Sequence, residues 1–314
     1  MSSKRLLWAD NLKGFLILLV VLGHVLQYFY PGYVNLHLYN YIYSFHMPSF
    51  MAISGYLSYR KGQEARSLSR IKIRGIQLLI PYLVWTSLFC LIIGKTVWMS
   101  MIVTPVYWFL LLLFFISTLM TFGQNISYKL GCNSLITAIV IIIVCFILKI
   151  CVGVKWFSLD ILYVHLIFYS FGWYLRKYKN HILKDWFIIP SGFFLFFSGW
   201  FYRPCISPPF LSFFPPVVYF IVTGVSATVF LISLFCKYFD FRTFFIGNLG
   251  KMTLGVYVIH LLICVSISPF MKICNEMVGC VVGIIVSFLL ITLVSVGLTY
   301  LIQRQKHLRR IVGL

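Results

Sequence analysis

Residues 8–30 read WADNLKGFLILLVVLGHVLQYFY. From Leu12 onward the stretch is apolar for long enough to cross a hydrocarbon core, which takes about 20 helical residues. It follows a basic start, as a secretory signal does, but has no A-x-A cleavage site. It runs on into the interfacial aromatic cluster Tyr28–Phe29–Tyr30, so it reads as an uncleaved first transmembrane helix. Three residues do not belong in lipid: Asp10 and Lys13 at one end, and His24 deep inside.

The rest of the chain repeats the apolar pattern. Of 314 residues 61% are hydrophobic and 10% charged, with a mean hydropathy of +0.96. A soluble domain sits nearer half apolar and a quarter charged. Helices are predicted near 12–30, 41–59, 76–94, 105–122, 133–153, 156–175, 186–202, 215–235, 252–270 and 278–302. The net charge of +20 would suit a nucleic-acid binder if it were gathered on one surface. With the N-terminus inside, however, twenty of the 26 Lys and Arg residues fall in cytoplasmic segments. Only Lys95, Lys149, Lys155, Arg203 and Lys272 fall opposite, and Lys13 lies in the first helix. That bias is the positive-inside rule, and it excludes a nucleic-acid groove as the reason for the charge.

The expected fold is all-α: a polytopic membrane bundle of about ten transmembrane helices with both termini cytoplasmic. Residues 1–303 form a single transmembrane domain, and 304–314 a short basic cytoplasmic tail. The nine cysteines show no paired or metal-ligand spacing and read as buried structural thiols. The Pro-rich connection YRPCISPPFLSFFPP (202–216) is read as a connector or as a lip over an outward-facing substrate cleft.

Lys13 and His24 are eleven residues apart, almost three turns, so they share a helix face about 16 Å apart along the axis. Asp10 joins that face through i,i+3 spacing to Lys13. An ionisable residue inside the membrane is costly and points to function. The competing reading for His24 is a histidine satisfied by a carbonyl or hydroxyl of a neighbouring helix. Further histidines recur at His46, His165 and His260, within predicted helices two, six and nine; Asp160 is expected one turn into helix six. No HxH or HxxxH pair supports a metal site, and no metal is expected. Arg70, Lys72 and Arg74 precede helix three. They read as positive-inside charge or as a cradle for a phosphorylated donor, since guanidinium forks bind phosphate well.

Six stretches, in order from residue 8 to about 262, resemble the acyltransferase-3 family of membrane O-acyltransferases. They are DNLKGFLILLVVLGH, with Lys13 ten residues before His24; FHMPSFMAISGYL, with His46, Pro48, Ser54 and Gly55; and RIKIRGIQLLIPYLVW, with Arg70, Arg74 and Pro81. The others are YWFLLLLF, from Tyr107 with Trp108; LDILYVHLIFYSFGWYLRK, with Asp160 and Gly172; and GNLGKMTLGVYVIHLLI, with Gly250, Tyr257 and His260. The basic residue of the opening motif, often arginine in the family, is Lys13 here, and His165 has no counterpart in the pattern. The chain resembles the short, membrane-only members.

The resemblance implies transfer of an acyl group, most often acetyl, from cytoplasmic acyl-CoA to a hydroxyl of a cell-surface or lipid-linked sugar. It implies a multi-pass protein of a bacterial inner membrane. The expected partners are membrane lipids, acyl-CoA as donor substrate and a glycan acceptor. There is no permanently bound cofactor, and homo-oligomerisation stays open. Lys13, Arg70 and Arg74 would hold the CoA phosphates. A polar stripe would guide the acyl-pantetheine arm, long enough when extended for the roughly 16 Å to His24. His24 would serve as general base or acyl relay, because imidazole titrates near neutral pH. Asp10 would hold Lys13, and His46 would position the acceptor. Asp160, Trp108, Tyr257 and His260 would line the substrate site. The alternative is a transporter or flippase of a lipid-linked saccharide, with the histidines as a proton relay; many such folds carry inverted repeats, and none is found here.

Overall fold

A computed structural model describes residues 5–59, 69–97, 99–103, 105–153, 156–178, 188–201, 216–278 and 280–314. Among them there is no β-strand. Eleven α-helices follow one another: α1 Leu7–Phe29, α2 His37–Ser58, α3 Ser69–Ile93, α4 Trp108–Leu130, α5 Ser134–Val152, α6 Leu162–Lys177, α7 Ile188–Phe201, α8 Pro216–Tyr238, α9 Phe245–Lys251, α10 Thr253–Val278 and α11 Cys280–Arg304. Seven of these (α1, α3, α4, α5, α8, α10 and α11) are long and apolar enough to cross a membrane. The apolar side chains of α5 and α11 explain why this is a multi-pass membrane protein. Ile136, Ile139, Ile143, Ile147, Leu289, Leu293 and Leu301 are all exposed, which is stable when the surrounding medium is lipid.

Helices cover all ten predicted segments, with four differences. Helix α3 begins at Ser69, so Arg70, Lys72 and Arg74 lie in its first two turns and not before it. Helix α6 begins at Leu162, so Asp160 sits in the preceding 3₁₀ segment Trp156–Ile161, where Phe157 and Ser158 have φ of 56° and 57°. His46 lies near the middle of α2, because that helix starts at His37 and not near 41. The seven-residue α9 was not predicted, being too short to show a helical period. The Pro-rich lip at 202–215 lies outside the described residues.

The chain divides into two compact units. One holds residues 1–53 and 179–301, the other 54–178 and 302–314. In the first, α1 is packed by α8, α9 and α10. A side chain at Gly250 of α9 would stand 1.8 Å from the carbonyl oxygen of Asp10, and one at Gly14 would stand 2.0 Å from that of Ile246. Only glycine lets the two backbones approach this closely. The amide of Asn11 donates to the carbonyls of Phe239 and Phe241 at 2.7 and 2.9 Å, and Thr243 Oγ1 donates to Asn11 Oδ1. Asp240 accepts from the Trp8 N–H at 3.2 Å. It thereby satisfies one of the orphan donors at the start of α1.

In the second unit α4 contacts α3, α5 and α6. Gly55 of α2 lets the Tyr169 backbone of α6 approach to within 1.9 Å of where a Cβ would stand. The basic tail is not free. Its 3₁₀ turn Arg309–Val312 packs on α3, Trp85 Nε1 donates to the Ile311 carbonyl at 2.7 Å, and Val312 is buried. Of the described cysteines, Cys90, Cys145 and Cys264 are buried, whereas Cys132 and Cys151 are exposed.

Candidate functional site

Four histidines share one local device. His24, His46, His165 and His260 each place Nδ1 against the carbonyl four residues earlier, at Val20 (3.0 Å), Ile42 (2.7 Å), Ile161 (3.0 Å) and Val256 (2.9 Å). A carbonyl can only accept, so Nδ1 carries the proton, and in the neutral ring Nε2 keeps its lone pair. The helix thus satisfies one nitrogen and fixes the tautomer of the other.

Two of these histidines meet. His260 Nε2 lies 3.3 Å from His24 Nδ1, with the rings at 64° and their centroids 5.0 Å apart. His260 is wholly buried on α10, while His24 on α1 is partly exposed. Tyr257, one turn before His260, has its ring 5.9 Å from it. His46 is linked to α1 through Tyr43. That ring stands 4.8 Å from His46, its hydroxyl donates to Gln27 Oε1 at 3.2 Å, and it lies over Gly23, beside His24. A methyl group at Gly23 would stand 2.8 Å from the Tyr43 ring. Sequence reasoning missed Tyr43 and Gln27, since an aromatic in an interfacial stretch carries no spacing signal.

Asp10 is buried and held from two sides: Lys13 Nζ lies 3.0 Å from Oδ1, and Arg5 Nε donates to Oδ2. The expected Asp10–Lys13 pair is therefore present, with Arg5 as a second, unanticipated partner. The expected polar stripe from Lys13 to His24 is not. Ile17 and Val20 occupy the same face and are packed in the core, so the two polar residues are separate points on α1.

The second unit holds Arg70, Arg74, Trp108 and Asp160. Arg70 and Arg74, one turn apart on α3, line a cavity of about 490 Å³ with Gln77, Ser117, Thr121 and Tyr169. Two guanidinium groups and neutral polar side chains, with no carboxylate among the described residues of the wall, make a site for an anion. Lys72, between the two arginines in sequence, points away and is exposed. Pro81 has no N–H for the carbonyl of Gln77, which frees a backbone acceptor on this stretch of α3. Trp108 opens α4 and stands 5.2 Å from the His165 ring at 70°. Asp160 is half-buried two residues ahead of α6. Among the described residues no three His, Cys, Asp or Glu side chains are gathered as metal ligands.

A family model described as an acyltransferase domain matches residues 6–304. Two curated relatives are similar over a shorter stretch: Nodulation protein NolL of Sinorhizobium fredii (strain NBRC 101917 / NGR234) and Nodulation protein NolL of Mesorhizobium japonicum (strain LMG 29417 / CECT 9101 / MAFF 303099). Each is 45% identical over 91 residues, which is 28% of this chain and 25% and 24% of the respective relative. The match thus spans about a quarter of each relative's length. No solved structure matches. Because the family model spans nearly the whole chain, including the α1 and α10 segments that bring His24 and His260 together, the chain belongs to the acyltransferase-3 family of multi-pass membrane proteins.

Proposed function

We propose that this protein is an O-acyltransferase of a bacterial inner membrane. It moves an acyl group, most simply acetyl, from cytoplasmic acyl-CoA to a hydroxyl of a surface or lipid-linked sugar. The observation that carries the reading is the 3.3 Å contact between His260 Nε2 and His24 Nδ1, with His24 partly exposed. The arrangement of ten crossings with both ends cytoplasmic belongs to the same proposal and rests on the bias of Lys and Arg.

His24 Nε2, with its lone pair free of the helix, takes the proton of the sugar hydroxyl. The oxygen attacks the thioester carbonyl, the C–S bond breaks, and the thiolate recovers the proton from His24. During the step His24 is an imidazolium. Its Nδ1–H, already shared with the Val20 carbonyl, faces the lone pair of His260 Nε2, which stabilises the charge. This is the base-and-orienter relation seen in nucleophile activation generally. Arg70 and Arg74 hold donor phosphates in their cavity. Asp10 neutralises and positions Lys13, so in this reading the lysine supports α1 more than it binds the donor. His46 and Tyr43 line the acceptor side. Family membership favours transfer over the transporter alternative.

The test uses membranes containing the full chain, acyl-CoA labelled in the acyl group, and envelope glycan from a host that carries the acceptor. Label passing into the glycan, lost with His24→Ala, supports the reading. Label that stays with CoA in intact membranes overturns it.

A further inference from the structure

A second cavity, of about 400 Å³, lies where α4, the α4–α5 turn, and the C-terminal end of α6 meet. Two of its lining side chains carry buried polar atoms without a hydrogen bond among the described residues: Gln124, at both Nε2 and Oε1, and Trp173, at Nε1. Both residues are at least nine-tenths buried. Buried polar groups are almost always bonded, so an amide with both ends unmet, beside an indole N–H, calls for a ligand. The other polar groups on the wall are already engaged. Ser127 bonds the Gly123 carbonyl and Thr137, Ser134 accepts from Tyr174, and Asn133 caps α5. The wall also offers the rings of Tyr128 and Tyr178, and Lys177, whose Nζ stands 5.6 Å from the Trp173 ring centroid.

This cavity adjoins the arginine cavity along one seam. On α4, Ser117 and Thr121 line the first, and Gln124 and Tyr128 the second. On α6, Tyr169 lines the first, and Trp173 and Lys177 the second. The spacings of three and four residues keep each series on one helix face, and Thr121 and Gln124 are separated by only about 5 Å of rise.

We propose that the second cavity is the base subsite for the donor: it receives the adenine of acyl-CoA while Arg70 and Arg74 hold the phosphates in the adjoining cavity. A carboxamide offers a donor and an acceptor side by side, the pair that matches the edge of adenine. Aromatic rings supply the stacking surface that any base uses. Trp173 Nε1 donates to the ribose of the same nucleotide, and Lys177 adds positive charge. This inference rests on acyl-CoA being the donor.

The experiment compares two donors on the full chain in membranes: acyl-CoA, and the same acyl group on 4′-phosphopantetheine, which lacks the nucleotide. Gln124→Leu removes the amide, and Trp173→Phe keeps a ring but removes the N–H. Each variant is expected to raise KM for acyl-CoA about tenfold, the loss of one or two hydrogen bonds. KM for the truncated donor and kcat for both should stay within about twofold of the parent protein, by the logic that uniform binding changes KM alone. Unchanged KM for acyl-CoA overturns the subsite and leaves the donor assignment standing. A rise that is equal for both donors, as misfolding or a lipid-headgroup site would give, overturns it too. A parent protein that uses neither donor overturns the donor assignment, and the subsite with it.

Discussion

His260 Nε2 and His24 Nδ1 stand 3.3 Å apart although 236 residues separate them in the chain. The contact joins α1 to α10, and it exists because each ring has its own Nδ1 turned to the preceding turn of its helix. Two residues that act as one unit lose their effect together. Replacing His24 by Ala is expected to lower transfer by about 10²–10⁴-fold, the range for a general base. His260→Ala should lower kcat less, with KM for the donor unchanged, and the double variant should be no worse than His24→Ala. Steady-state kinetics of the three proteins give the cycle; additive losses would mean the two histidines act separately.

The glycines of the α1–α9 contact are a test of packing. Gly250→Ala drives a methyl group into the Asp10 carbonyl and Gly14→Ala drives one into that of Ile246. Each should destabilise by about 1–3 kcal/mol, as overpacking does. Gly297→Ala, where no atom lies within 4 Å of the added carbon, should not destabilise. Thermal unfolding of the three variants in the same detergent separates them.

Asp10 holds two cations, Lys13 within α1 and Arg5 before it. Asp10→Asn should cost about 1–3 kcal/mol, the scale of hydrogen bonds to a charged group. Part of that loss comes from leaving Lys13 without a counter-charge in a half-buried place. Lys13→Met added to Asp10→Asn should therefore recover some stability. A double variant less stable than Asp10→Asn would show that Lys13 has another anchor.

Arg70 and Arg74 face their cavity, and Lys72 does not. Arg70→Ala and Arg74→Ala should each raise KM for acyl-CoA about tenfold, the loss of a charge-assisted bond. Lys72→Ala should leave KM unchanged. Equal effects from all three would point to a general basic surface in place of a shaped site.

Much of this was legible in the sequence because lipid sharpens the signal. A histidine, a lysine and an aspartate in apolar helices stand out, and the eleven-residue spacing placed His24 and Lys13 on one face. Ile17 and Val20 show the limit of that geometry: sharing a face with two polar residues does not make a polar track, and here the face between them is core. The pairing of His24 with His260 was not legible, because periodicity says nothing about which helices are neighbours. The sequence starts helix α3 too late, because Arg70, Lys72 and Arg74 look like a loop until the helix sets the two arginines on one flank and Lys72 on the other. Gln124 and Trp173 left no trace at all. A lone amide or indole in an apolar run acquires meaning only when its bonds can be traced in three dimensions.

The central claim is that His24 activates a sugar hydroxyl toward a thioester. It is tested most directly by the base-labile O-acyl ester content of envelope glycans. Cells of a host that supplies the acceptor would carry either the intact protein or His24→Ala, at equal abundance in the membrane. Ester present with the intact protein and absent with His24→Ala is the predicted result, and its mass increment names the acyl group. Equal ester with both proteins would contradict the role assigned to His24.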